Sequence, residues 1–148
     1  MKVKLQQDPH KAETEVTISY EKMDSRLHRM IGIIRQYEYT ICGTIENRIF
    51  EIPLDEILYF DCTEGRTFFY TKENTYECEK NLITLEQELN QTSVLRVQKN
   101  CLMNTQHLEC VSPYPNHRLL AEMSNGEKII ISRKYIPNLH ELGKRGAL

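Results

Sequence analysis

The chain has 148 residues with 27% charged and 8% aromatic side chains and a formal net charge of −2. This is an ordinary globular composition for one domain, or for one domain with a short extension. No apolar run approaches the roughly 18 residues of a membrane span, and the opening residues lack the apolar stretch of a signal peptide. We therefore expect a cytoplasmic protein.

The five cysteines point to free thiols. Their number is odd, their spacing is irregular, and no two of them form a CxxC pair. In a reducing cytosol this pattern argues against a disulfide framework and against a zinc site.

The first 45 residues predict a small β-β-α extension. Residues 1–7 and 15–20 alternate apolar and polar side chains, which predicts two short strands. Either Asp24 or Ser25 is expected to cap a helix that runs to about Gln36. Apolar residues of this helix recur at i, i+3, i+4 and i+7, on one face: Leu27, Met30, Ile31 and Ile34. Because the extension is too short to form a core alone, we expect it to pack on the rest of the chain or on a second copy.

From residue 39 onwards the chain predicts many short strands with turns between them. Glu46-Asn47 and Glu64-Gly65 are among the turn signals. Strands are expected at 40–45, 48–52, 57–62, 66–71, 75–78, 93–97, 108–112, 118–123 and 128–131, and helices at 84–89 and 133–142. Such close spacing is typical of an all-β sandwich or a barrel-like core. We divide the chain into an N-terminal extension, 1–45, and a main domain, 46–148.

No catalytic set is recognisable. The motifs GxSxG, GxGxxG and HExxH and the P-loop are absent. The five histidines are scattered, and His107 with Cys110 is an isolated pair of a kind expected by chance. The glutamates between residues 73 and 88 are expected to form a solvated face. We therefore expect no enzymatic activity, no metal, no cofactor and no small-molecule substrate.

The small net charge conceals an uneven distribution. Residues 51–93 hold three basic and ten acidic residues, whereas residues 94–148 hold eight basic and four acidic ones. A local basic face can hold DNA while the total charge stays near zero. The last third of the chain is therefore the first place to look for a DNA-binding surface.

Four segments carry a recognisable pattern. They are ILYFD at 57–61, NLITLEQEL at 81–89, LRVQKNCLMN at 95–104, and NG at 125–126 followed by KIIISRKY at 128–135. In their order and spacing, from residue 50 to residue 142, they resemble the LytTR family of bacterial DNA-binding domains. The resemblance implies a mostly β (α+β) fold of several small antiparallel sheets with short helices. It also implies that loops, and not a recognition helix, enter successive major grooves of duplex DNA.

The resemblance places the DNA contacts on three segments. They are Thr63, Glu64, Gly65 and Arg66; then Gln98, Lys99 and Asn100; and last Arg133, with Lys134 beside it as a phosphate contact. The family usually has His-Arg-Ser where this chain has Gln98-Lys99-Asn100. Lys99 keeps the positive charge but lacks the planar fork of arginine, and Asn100 keeps the hydrogen-bonding capacity.

Two of the candidate arginines have alternative roles. Arg133 suits bidentate contact with a guanine edge. A positive charge is unfavourable at the start of a helix, which favours this role over a structural one. Arg66 is either a solvated hairpin tip or a tip inserted into a groove.

The leading hypothesis is a stand-alone, sequence-specific transcription regulator that binds duplex DNA, as a homodimer at least on DNA. The resemblance also implies a small inhibitory membrane protein as a partner, with the N-terminal helix as a docking or dimer face. The alternative is a protein-interaction adaptor that has lost specific DNA binding, which the Gln98-Lys99 departure and the acidic middle of the chain favour. Strong salt dependence of DNA binding would distinguish the two, because each neutralised phosphate releases counterions.

Overall fold

The computed structural model describes residues 1–139 and contains two antiparallel sheets and several helical segments in that range. Short 3-10 turns lie at Leu54–Glu56, Thr105–His107 and Arg133–Tyr135. The helices and strands are α1 (Ser25–Gln36), β1 (Thr40–Ile45), β2 (Arg48–Pro53), β3 (Tyr59–Thr63), β4 (Arg66–Tyr70), β5 (Thr75–Cys78), α2 (Leu82–Glu88), β6 (Val94–Gln98), β7 (Cys101–Asn104), β8 (Leu108–Tyr114), β9 (Arg118–Met123) and β10 (Lys128–Ile131). The predicted mostly β class is confirmed.

The larger sheet has seven strands in the order β2-β1-β5-β4-β3-β7-β6 and carries apolar side chains on both faces. On one face, Phe60 and Phe69 pack with Leu82, Leu85 and Leu89 from α2 and the residue that follows it. On the other face, the smaller sheet, β10-β9-β8, covers the end of the larger sheet that holds β7. A second buried cluster forms where the two sheets meet. Its members from the smaller sheet are Ala121, Met123, Ile129 and Ile131, and those from the larger sheet and its flank include Leu58, Val97, Cys101 and Met103.

Three hairpins turn through pairs of residues with positive φ. The pairs are Glu46-Asn47 between β1 and β2, Glu64-Gly65 between β3 and β4, and Asn116-His117 between β8 and β9. In the first two hairpins these residues are the whole loop, which is the mark of a type I′ turn, whose twist matches that of the flanking strands; the third loop also contains Pro115. The hairpin turns predicted at Glu46-Asn47 and Glu64-Gly65 are therefore formed.

The cap of α1 is one of the two predicted residues, while the cap of α2 was not predicted, and α2 begins two residues before the predicted start at 84. Asp24 caps α1, and its carboxylate accepts a hydrogen bond from the Leu27 backbone N–H at 2.7 Å. Asn81 caps α2 in the same way, with Thr84 N–H at 2.8 Å. Both caps accept an N–H that the first turn leaves without an intrahelical partner.

The two strands predicted in the N-terminal extension are not formed, so this prediction was wrong. Residues 1–7 and 15–20 form no strand, and the chain before Ser25 has no regular secondary structure. Alternation gives a segment an apolar face, but a strand also needs a sheet edge that pairs with it, and neither segment is paired in the single chain. The division at residue 45 stays a prediction, although β1, on its N-terminal side, pairs with both β2 and β5.

Two other predictions differ from the structure. Strand β7 was not predicted, although it joins β3 to β6 in the sheet. The helix predicted at 133–142 begins as a 3-10 turn and is helical from 136 to 139, while its remainder lies outside the described residues. Its inward residues are as predicted, since Leu139 is buried and Ile136 packs against the second cluster. No helix within residues 1–139 is long and apolar enough to cross a membrane.

Gly43 of β1 lies against Phe69 and Tyr76, which belong to the core between the larger sheet and α2, and there is no room there for a side chain. An added Cβ would lie 2.4 Å from Phe69 Cζ and 2.7 Å from Tyr76 Cβ. We expect Gly43→Ala to lower the free energy of unfolding by about 1–3 kcal/mol, because the two packed rings must move. Urea unfolding followed by circular dichroism measures this. Gly32→Ala in α1 is the control: its nearest neighbour would be Ser93 Oγ at 3.9 Å, so the helix should gain about 0.5–1 kcal/mol. Equal stability of Gly43→Ala and the unmodified protein would contradict this packing.

Candidate nucleic-acid interface

The tip of the β3–β4 hairpin is the first predicted contact segment. Thr63 and Arg66 are the closing pair of the hairpin, and Glu64 and Gly65 form its turn. All four residues are exposed. The Arg66 guanidinium is bound to Glu77 on β5 through two hydrogen bonds, and it also lies 5.3 Å from the centre of the Phe68 ring. The Arg66 side chain is therefore fixed by contacts within the protein and is not freely solvated.

The turn between β6 and β7 is the second segment, and it lies directly against the first. Cys62 N–H donates to the Asn100 carbonyl oxygen at 3.0 Å, which joins the two segments by backbone. Lys99 and Asn100 are exposed, with their side chains free of the core. Gln98 is half-buried, and its side-chain amide donates to the Ile130 carbonyl oxygen of β10. Gln98 thus positions the turn against the smaller sheet.

Arg133 and Lys134 lie in the 3-10 turn that follows β10, and both are exposed. Ser132 N–H, one residue before Arg133, donates to the Val97 carbonyl oxygen at 2.9 Å. Val97 in turn is two residues before Lys99. Backbone hydrogen bonds therefore bring the third segment beside the second, while Lys134 Nζ lies 5.4 Å from the centre of the Tyr135 ring.

A shallow groove separates the two hairpin turns from the smaller sheet. Its lining residues are Tyr59, Asp61, Cys62, Thr63, Gln98, Asn100, Cys101, Lys128, Ile129 and Ile130. Lys128 is exposed at the rim and was not predicted. Its position at the start of the strand that follows the Asn125-Gly126 turn could have identified it in the sequence as a candidate.

The floor of this groove holds one carboxylate, that of Asp61. The Tyr70 hydroxyl donates to both carboxylate oxygens of Asp61 at 3.0 Å, and the exposed Glu127 carboxylate lies near Tyr59 and Asp61. Burial raises the pKa of Asp61, and the nearby Glu127 carboxylate raises it further, while the Tyr70 hydrogen bond acts against both. Burial and the Glu127 contact also raise the pKa of Tyr59, so its phenol stays protonated. Negative charge on this floor repels phosphate, so phosphate contacts are favoured only at the cationic rim.

Arg96 has a structural role. Its side chain is 10% exposed, Nε donates to Glu86 at 3.0 Å, and Nη1 donates to the Lys99 carbonyl oxygen. Arg96 therefore ties α2 to the β6–β7 turn and holds the backbone of Lys99. Of the glutamates predicted to form a solvated face, three are ion-paired: Glu77 with Arg66, Glu86 with Arg96, and Glu88 with Lys80.

Cys101 is one of two cysteines that line the groove, and it is the buried one. Burial raises the pKa of Cys101 to about 12, so it is a neutral thiol at physiological pH. In the described part of the chain, no three His, Cys, Asp or Glu side chains are grouped so that they could hold a metal ion.

All three predicted contact segments are turns attached to strands, and backbone hydrogen bonds join them into one surface. This arrangement is that of a mostly β domain in which several loops together form one exposed surface. The family model of the LytTr DNA-binding domain matches residues 47–144. The chain therefore belongs to the LytTr DNA-binding domain family, as the sequence pattern predicted.

Comparisons with individual proteins agree with this family assignment. The sensory transduction protein LytT of Bacillus cereus is 30% identical over 98 residues, which is 66% of this chain and 40% of that protein. The transcriptional regulatory protein LytR of Staphylococcus aureus is 25% identical over 100 residues, 68% of this chain and 41% of that protein. The chain thus spans about two fifths of the length of these relatives.

The fold also matches a solved structure. The LytTr DNA-binding domain of a Bacillus cereus protein superposes with a TM-score of 0.67 and 20% identity, and the match covers 71% of this chain and 96% of that one. This likeness concerns the fold of the domain, and the residues that contact DNA are argued below from this chain.

Proposed function

We propose that this protein is a transcription regulator that binds duplex DNA with the three clustered segments. The observation that carries the proposal is the pair of backbone hydrogen bonds, Cys62 to Asn100 and Ser132 to Val97, which fixes three distant turns beside one another. A rigid set of loops can meet DNA without first being ordered, which avoids an entropic cost of binding.

Each segment would have its own task. Lys99, Lys128 and Lys134 are exposed ammonium groups around the groove and suit phosphate, which positions a protein on the duplex. Asn100 and Arg133 have side chains that can read base edges, adenine for an asparagine and guanine for an arginine. The acidic floor between them disfavours phosphate there, so the duplex would rest on the rim while the turns enter successive major grooves.

Two copies would bind together on repeated sites. The apolar face of α1 is available for this contact, because Leu27, Met30, Ile31 and Ile34 are all only half-buried. The C-terminal end of α1 is anchored, since Gln36 is buried and accepts a hydrogen bond from Ser93 N–H at 3.2 Å. Light scattering on duplexes with one and with two copies of the preferred site would give the number of protein chains bound to each.

Salt titration tests the proposal. Labelled promoter fragments, including the region upstream of the protein's own reading frame, are titrated at several salt concentrations. We expect tight binding to one fragment, and the logarithm of its affinity should fall linearly with the logarithm of salt concentration. Lys99→Ala should weaken binding to all fragments alike and reduce the slope by about 0.9, the value for one lost phosphate contact.

The adaptor alternative has its own structural support. Asp61, Glu127 and Glu77 place negative charge close to the predicted contact segments, and Arg66 is already paired. An adaptor would show equally weak binding to every fragment, a slope near zero, and no response to Lys99→Ala. Such a result would reject the regulator and direct the search to protein partners of α1.

A further inference from the structure

Arg66 is the one predicted contact side chain whose charged group is already engaged by a carboxylate in the described structure. Its Nε donates to one oxygen of Glu77 at 2.9 Å, and its Nη2 donates to the other at 2.6 Å. This is the forked geometry in which a guanidinium also binds a phosphate. The side chains are 60% and 41% exposed, so the pair lies at the surface where DNA would arrive.

The pairing is selective. Phe68 is the register partner of Glu77, so the Arg66 guanidinium reaches diagonally to Glu77 and stays close to the Phe68 ring as it does so. Glu79 follows just after the end of β5 and is a second exposed carboxylate, two residues from Glu77, that is not the partner in this pair.

Both members of the pair stay charged near neutral pH. The hydrogen bond from Arg66, with the attraction of its charge, lowers the pKa of Glu77. The same hydrogen bond raises the pKa of Arg66. The contact is therefore an ion pair throughout the pH range in which DNA binding is measured.

We propose that Glu77 occupies, in the DNA-free protein, the Nε–Nη2 edge of Arg66 that a DNA phosphate takes in the complex. Glu77 is then an internal competitor of DNA, and it acts through Arg66 without touching the duplex. The proposal rests on the proposed function, because it requires the β3–β4 tip to approach the phosphate backbone. Its consequence is that every complex in which Arg66 holds phosphate is weakened by the free energy of the broken pair.

The experiment compares Glu77→Gln with Glu79→Gln on a labelled mixed-sequence duplex at low salt. Glu77→Gln should tighten binding by about 2- to 5-fold, the range expected for release of an exposed ion pair. Glu79→Gln removes the same charge nearby and should change the affinity less. In an Arg66→Ala background, Glu77→Gln should have no larger effect than Glu79→Gln.

These variants distinguish the possible outcomes. Weaker binding of Glu77→Gln would mean that Glu77 positions Arg66 productively, and this would overturn the proposal. An equal gain in the Arg66→Ala background would overturn it too, since the effect would then be general charge repulsion. If the unmodified protein binds DNA and Glu77→Gln does not bind more tightly, only this inference fails. If neither binds, the proposed function fails with it. Because the pair is exposed, urea unfolding of all variants should coincide, which excludes misfolding as the cause.

Discussion

Arg133→Ala is expected to abolish the preference of this protein for its best promoter fragment. Arg133 is exposed in the 3-10 turn after β10, at a point held to β6 by the Ser132 to Val97 hydrogen bond. A bidentate arginine–guanine contact discriminates against the wrong base by about 1–3 kcal/mol, so the affinity for the preferred fragment should fall by about 5- to 150-fold. Binding to unrelated fragments should change by much less, because phosphate contacts carry non-specific binding.

Competition titration of the preferred fragment against unrelated DNA measures the effect as a ratio of affinities. Arg48→Ala is the matched control. Arg48 is also an exposed arginine, but it lies on β2, at the opposite edge of the larger sheet from β6. Retention of the preference by Arg133→Ala, or an equal loss in Arg48→Ala, would remove Arg133 from base recognition.

Asn104→Ala is expected to cause the largest loss of stability among single polar substitutions in the core. Asn104 is fully buried at the end of β7. Its side-chain N–H₂ donates to the carbonyl oxygens of Leu54 at 3.3 Å and Ile57 at 2.8 Å, and its oxygen accepts from Gln106 N–H at 3.1 Å. Alanine removes all three hydrogen bonds and the side-chain partner of the buried Ile57 carbonyl oxygen, so the free energy of unfolding should fall by about 2–5 kcal/mol.

Urea unfolding measures this loss, and Asn81→Ala calibrates it. Asn81 also has a capping side chain, but it is exposed at the start of α2, where removal of a cap costs about 1 kcal/mol. An Asn104→Ala cost no larger than that of Asn81→Ala would show that the buried network contributes little. At temperatures where the variant is folded, its DNA affinity should be unchanged, because Asn104 lies inside the protein.

Local chemistry predicted most strands and their turns. Strands β1, β5, β9 and β10 have the predicted bounds, because each is flanked by turn residues whose backbone preference does not depend on distant contacts. The cap of α1 at Asp24 was predictable for the same reason. Strand β7 was missed because all four of its residues are buried, so its sequence shows no alternation.

The opposite error occurred at the N-terminus. Residues 1–7 and 15–20 alternate as strands do, yet they form none, because pairing depends on an available sheet edge and not on the segment itself. Asn104 shows an intermediate case. Its capping role at the next turn was predictable from its residue type, but its burial and its bonds to the Leu54–Ile57 backbone were not.

The sequence by itself determined the family, the mostly β class, and the three segments proposed to contact DNA, because these depend on residue order, turn chemistry and local spacing. Only the tertiary structure decided which of those side chains are available. It bound Arg66 to Glu77 and Gln98 to β10, left Lys99 and Arg133 exposed, and placed Asp61 in the lining of the groove. The physical reason is that these contacts join residues from different strands, and strand register and sheet packing bring them within bonding distance.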